Sequence, residues 1–236
     1  MSGPGRTMNT FSGIFHQYVW HTEGIANFDD DGPLILIQDI SESTNNEGAT
    51  QVFIYTTNAD YLFANCTAAF EKLNLNIYGA RIFTSSNNHC LDTFTVLESN
   101  GRPVGNNSIR LEEIKNALIT HLNAGNTIAA PTLFRRSRKE KYFAKSIEVT
   151  FINMPEKNYS TLEVNCPDQP GILASVGKIL ASNNINLKDA RIATLGERVE
   201  DLFFITDKTG QRIEEQALVE KLQSEIKTEL EERLVA

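Results

Sequence analysis

Residues 165–205 read NCPDQPGILASVGKILASNNINLKDARIATLGERVEDLFFI, and the order of signals in them decides the fold. The stretch predicts a strand, a sharp turn, a helix and two more strands. The turn is Asp168-Gln169-Pro170-Gly171. Proline fixes φ and suits the first helical position, where a missing N–H costs nothing. Glycine admits close approach of backbone or ligand. Asp168 can accept bonds from first-turn amides. The helix then carries one apolar face, Ile172, Leu173, Val176, Ile179 and Leu180. The exposed amides at its start suit a carboxylate.

The same pattern occurs earlier in the chain. Shifted by 110 positions, Asn74-Leu75-Asn76 falls on Asn184-Ile185-Asn186 and Ala80-Arg81-Ile82 on Ala190-Arg191-Ile192. With one residue gapped, Asp92 meets Asp201 and Gly101 meets Gly210. Blocks that match in register point to duplication. In the first copy, strands are expected at Leu34–Ile37, Val52–Thr57, Asn76–Thr84 and Leu91–Leu97, with helices at Tyr61–Leu73 and Ile109–Leu122. In the second, strands are expected at Ile147–Ile152, Leu162–Cys166, Ile185–Thr194 and Asp201–Asp207, with helices at Gly171–Asn183 and Glu214–Leu234.

These elements predict an α+β fold of two ferredoxin-like units, each an antiparallel sheet with two helices on one face. The usual order is βαββαβ, but the second copy stops after its second helix. Each copy instead opens with an extra strand, which a hairpin would lay in the vacant last-strand place. The favoured order is therefore a permuted ββαββα in both halves. The alternative gives Ile147–Ile152 to the first copy and leaves the second sheet one strand short. The organisation expected is a tag or frayed end at 1–10, a helical segment at 11–32, the first unit at 33–128, a basic linker at 129–146 and the second unit at 147–236.

Composition narrows the class. A length of 236 residues holds two domains of about 100 residues each. An apolar share of 41% with 7 prolines suits an ordered globular protein. No apolar run reaches the ~20 residues needed to span a membrane, and no signal-peptide core is evident. The net charge of −8 argues against general nucleic-acid binding. The 3 cysteines, Cys66, Cys90 and Cys166, are far apart with no CxxC, as expected of reduced thiols in the cytoplasm. Arg135, Arg136, Arg138, Lys139, Lys141 and Lys145 form the basic linker, read as a solvated connection or a docking site for an acidic partner. His16 and His21 lack the further ligands a metal needs, and Asp29-Asp30-Asp31 lacks the spacing of a calcium loop. No nucleophile–histidine constellation or phosphate loop is present, so no catalytic residues are assigned.

The segments Asp168–Leu173, Asn184–Asn186 and Ala190–Ile192 resemble the ACT domain, an amino-acid-sensing module. The continuation Gly196–Phe203 resembles the C-terminal region of bifunctional uridylyltransferase/uridylyl-removing enzymes, which act on the nitrogen regulator PII. The resemblance implies a regulatory, non-catalytic piece of a cytoplasmic enzyme that senses L-glutamine or another small amino acid. It implies no cofactor in this chain, Mg and UTP in the parent, and as partners the parent's catalytic domains and PII. ACT modules pair edge to edge, so pairing is expected within the chain or in a homodimer. A docking or scaffold module without a small ligand is the rival.

A site follows from the turn. Asp168 and Gln169 belong to it, the amides of Gly171, Ile172 and Leu173 meet a carboxylate, Asp168 meets an ammonium, and Asn186 offers both donor and acceptor. In the first copy Asn58-Ala59-Asp60-Tyr61 replaces the turn. There Asn58, Asp60, Tyr61, Leu62 and Asn76 mark a second site, which the bulk of Tyr61 threatens to block.

Overall fold

A computed structural model describes residues 32–40, 48–85, 87–124, 147–195 and 198–235. Apart from Gly32, the expected helical segment at 11–32, with His16, His21 and the aspartate triplet, lies outside the described residues, as does the basic linker.

The first copy runs β1 (Leu34–Ile40), β2 (Ala49–Thr57), α1 (Leu62–Lys72), β3 (Leu75–Arg81), β4 (His89–Glu98) and α2 (Ser108–Asn123). The second runs β5 (Glu148–Asn153), β6 (Ser160–Pro167), α3 (Ile172–Ser182), β7 (Asn186–Arg191), β8 (Thr194–Leu195), β9 (Arg198–Thr206) and α4 (Gln216–Val235). Both halves are ββαββα. Strand β5 pairs antiparallel with β6, from Glu148 opposite Asn165 to Asn153 opposite Ser160, as the permuted order requires.

The two halves share a single sheet, ordered β1-β2-β4-β3-β7-β9-β6-β5, with β8 a short flap on β9. Strands β3 and β7 make the seam. They run antiparallel, with Gly79 opposite Arg191, Ala80 opposite Ala190 and Arg81 opposite Asp189. The duplicated Ala-Arg-Ile motifs thus meet each other across a local two-fold. Arg191 turns its guanidinium over the Phe204 ring, 5.3 Å from its centre.

Alternation along the strands explains the layering. In β9, Val199, Asp201, Phe203 and Ile205 are buried while Arg198, Glu200, Leu202 and Phe204 are not, a period of two that sends alternate side chains to the helical face. One core runs beneath the four described helices. Phe63 of α1 joins the halves, with its ring 6.0 Å from Phe94 and 6.5 Å from Phe203. Helices α1 and α3 pack over the seam at Gly177. A β-carbon there would come within 2.7 Å of Phe63 Cδ1 and 3.3 Å of the Ala64 backbone. Glycine at that point is what lets the helices close on each other.

The duplication reaches into small details. Thr50 Oγ1 accepts from Val104 N at 2.8 Å, and Ser160 Oγ accepts from Ile213 N at 2.9 Å, so a buried hydroxyl pins the segment before the last helix in each copy. Asn74 and Asn184 end α1 and α3 in the left-handed region, φ 56 and 60. Asparagine tolerates that region better than most residues, which accounts for the first asparagine of each repeated Asn-x-Asn.

Candidate functional site

The turn before α3 is built differently from the sequence expectation in one respect. Gly171, where the helix was expected to begin, is its cap and takes φ 82 and ψ 6. Glycine is favoured there because a side chain pays to enter the left-handed region. Pro170 precedes the cap instead of occupying the first helical position. The first intrahelical bond runs from Ser175 N to Gly171 O at 2.9 Å, so the amides of Ile172, Leu173 and Ala174 are the free donors at the head of α3. They carry the positive end of the helix dipole.

Helix α4 holds the back of the turn. Gln169 is buried and donates Nε2 to Leu230 O at 3.3 Å. Arg233 donates Nη2 to Pro170 O at 2.7 Å. Farther along α3, Ser175 Oγ meets Glu229 Oε1 at 3.0 Å and Asn183 Nδ2 meets Glu225 Oε2 at 2.7 Å. Gln169 is thus spent on the scaffold.

The front of the turn opens onto the other copy. A cleft of about 630 Å³ is lined by Asp168 through Ala174 on one side and by Glu71, Lys72 and Asn74 through Tyr78 of the first copy on the other, with Ile192, Val199 and Asp201 behind. The two wall elements are 100 residues apart in sequence, and the β3–β7 seam brings them together.

The structure therefore regroups the residues singled out from sequence. Asp168, Gln169, Gly171, Ile172 and Leu173 lie together in this cleft. Asn186 does not join them. It donates Nδ2 to Asp207 O at 3.1 Å, and the seam register carries it toward the end of β3. Its place is taken by Asn76, which the sequence had placed with the other turn. The reason is the seam: β3 of the first copy starts beside the turn of the second.

The first-copy turn is closed on itself. Tyr61 takes φ 63 and ψ 9, nearly the geometry of Gly171, so its bulk did not change the backbone path. Asn58 donates Nδ2 to Asn88 Oδ1 at 3.3 Å and accepts from Cys90 Sγ at 3.1 Å, while its amide bonds Asn88 O at 2.8 Å. Leu62 is buried, and Asp60 is exposed.

Two acidic groups escaped the sequence reading. Asp201 is 1% exposed and lies on the cleft floor. Its Oδ1 accepts from Ala193 N at 3.3 Å. Burial pushes its carboxyl up to about 7, with the nearby charge of Asp168 adding to the effect. Glu71 lines the opposite wall. Its Oε1 is buried without a hydrogen-bond partner, and burial raises its carboxyl although Arg233 pulls the other way. A signal for Asp201 was present. It is an aspartate at a core-facing position of an alternating apolar strand, and the duplication repeats it at Asp92.

Asp92 is the first copy's version. It is fully buried, and neither carboxylate oxygen has a hydrogen-bond partner. Burial pushes it up to about 8, and the Phe83 amide softens the shift without reaching hydrogen-bond geometry. Buried Cys66 and Cys90 flank it; burial and the Asp92 charge push Cys90 up to about 12 and Cys66 well above its usual value. Such thiols stay protonated and inert. None of the three cysteines is in a disulfide, and among the described residues no cluster of histidine, cysteine and carboxylate side chains could hold a metal. No helix of the described residues is long and apolar enough to cross a membrane.

Comparison with known proteins agrees with this architecture. Residues 160–226 match the ACT domain. The chain is 43% identical over 214 residues, 89% of its length, to a bifunctional uridylyltransferase/uridylyl-removing enzyme of Pseudomonas fluorescens, of which it spans 23%. It is 42% identical over 214 residues to the enzyme of the same description from Stutzerimonas stutzeri, of which it spans 24%. The chain thus spans about a quarter of the length of these curated relatives, and it resembles their C-terminal region. Among solved structures, an aspartate kinase from Synechocystis aligns over 79% of this chain and 27% of that one, with a TM-score of 0.44 and 13% identity, too loose a likeness to bear on function.

Proposed function

We propose that this chain is an amino-acid-sensing regulatory module, with L-glutamine as its ligand, and that it biases the opposed activities of a uridylyltransferase/uridylyl-removing enzyme toward PII. The observation that carries the reading is the cleft at the seam. Free amides at the head of α3 suit an α-carboxylate. Carboxylates at the rim and floor, Asp168 and Asp201, suit an α-ammonium. Asn76, with its side chain unbonded within the described protein, and Glu71, with its unpartnered oxygen, suit a side-chain amide over a second carboxylate. On this reading the chain is a sensor, and Mg and UTP belong to the parent's other domains. Because the two walls come from different copies, a ligand there would favour one arrangement of the halves over another, which is what regulation by differential affinity needs.

Calorimetric titration tests this. L-glutamine is expected to bind and L-glutamate to bind at least tenfold more weakly. Equal binding of both, or none at millimolar concentration, would reject the glutamine reading. Titration of the full-length parent with and without ligand, scored for uridylylated PII, would then test the coupling.

A further inference from the structure

Resting on the amino-acid reading of the cleft, we propose that Asp201, not Asp168, receives the ligand's α-ammonium, and that seating the ligand drives a proton from the Asp201 carboxyl into solvent.

The geometry separates the two carboxylates. Asp168 is exposed at the rim, where water competes for any cation. Asp201 is almost fully buried on the floor, and its only hydrogen bond among the described residues leaves Oδ2 without a donor. Burial of the residue makes the ionised carboxylate costly, and an ammonium reaching Oδ2 would supply both charge and hydrogen. Before a ligand arrives the group relieves that cost by holding a proton, since burial raises its carboxyl to about 7. The balance on binding is simple. The ligand arrives as a zwitterion, the Asp201 O–H bond breaks, the proton passes to buffer, and the carboxylate faces the ammonium. No other bond changes.

Among the described residues, the neighbours of Asp201 on β6 and β9 carry no cation on its own sheet face. Val164 stands opposite it in β6, with Cys166 two residues along, and Val199 and Phe203 flank it on β9. Asp168 approaches from the turn, Ile192 from the end of β7, and Glu71 and Lys72 line the far wall from α1. Arg233 of α4 donates to Pro170 O, pairs with Glu229 and acts by its charge on Glu71. Asp92, equally buried in the first copy, sits among thiols instead of in this cleft, and so serves as an internal control.

The experiment is titration of the chain with L-glutamine in two buffers of different ionisation enthalpy, between pH 6 and 8, with Asp201→Asn, Asp168→Asn and Asp92→Asn beside the wild type. The wild type is expected to release about half a proton at pH 7, and its Kd to rise about eightfold from pH 7.5 to pH 6. Asp201→Asn is expected to weaken binding about thirtyfold and to abolish proton release. Asp168→Asn keeps proton release, and Asp92→Asn binds as the wild type does. Tight binding with no proton release, unaffected by Asp201→Asn and lost in Asp168→Asn, would overturn the assignment and leave the amino-acid reading intact. Absence of binding by the wild type would overturn both. Because proton release is read on the unaltered protein, a variant that fails to fold does not shield the proposal.

Discussion

In the first copy the turn after β2 is closed by side chains of the same copy; in the second the corresponding turn faces the other copy's seam strand and is held from behind by the last helix. The backbones are nearly the same, with left-handed caps at Tyr61 and Gly171. The differences lie in which side chains are spoken for. Asn58 is consumed by Asn88 and Cys90, and Cys90 stands where the second copy has Val199. Duplication therefore preserved a frame and let its two concave faces diverge, one toward internal bonding and one toward a cleft. The paired aspartates show the same divergence. Asp92 is sealed among cysteines, while Asp201 reaches a cleft.

The sharpest way to break this comparison is Asp92→Asn. The Asp92 carboxyl is raised to about 8 in the fold, above its ordinary value of 3.8. The fold thus favours the protonated form. Its stabilising contribution is complete below about pH 4 and is lost as pH climbs toward 8. The variant, which cannot ionise, is expected to exceed the wild type by a few kcal/mol at pH 8 and to match it near pH 4. Urea denaturation across that range measures it. A wild-type stability flat with pH would show that Asp92 is solvated after all.

Next in size is Gly177→Val. The added β-carbon meets Phe63 and the Ala64 backbone, so the helices over the seam must part. A loss of about 2–3 kcal/mol is expected, together with glutamine binding, since the cleft needs both copies in register. If stability falls while binding survives, the cleft does not depend on the seam and the contrast between copies loses its basis.

The smallest effect is Gly171→Ala. A β-carbon at φ 82 costs about 1 kcal/mol. The first copy already bears that strain at Tyr61, so the two turns would then be equally burdened. Chemical denaturation detects a change of this size, and a shift below about 0.3 kcal/mol would show that the turn relaxes at no cost.

Much of the fold was legible because its signals are local. The Asn-x-Asn repeat marks two helix ends, Gly101 and Gly210 mark two turns at φ 76 and 80, and the apolar alternation of β9 marks a buried face. The permuted order could be read from a single extra strand ahead of each copy. The site was only half legible. The donors at the head of α3 follow from one turn, but their companion, Asn76 instead of Asn186, depends on how two copies pair, and no local pattern encodes that register. Pro170 lies two residues before the first helical position because its preference for a helix start does not say which side of the cap it takes. Asp201 was visible as a repeated residue, yet its meaning rests on burial, which alternation implies only once the core side of the strand is known.

The grip of α4 on the turn has a mechanical consequence. Gln169, Pro170, Ser175 and Asn183 all bond to the far half of that helix, between Glu225 and Arg233. A helix of 20 residues is a rod about 30 Å long. The turn cannot settle onto a visitor as a loose loop would. It must carry the rod with it, so that a fraction of an ångström gained at one end becomes a tilt with leverage at the other, where Ile213 anchors the approach to the helix on Ser160.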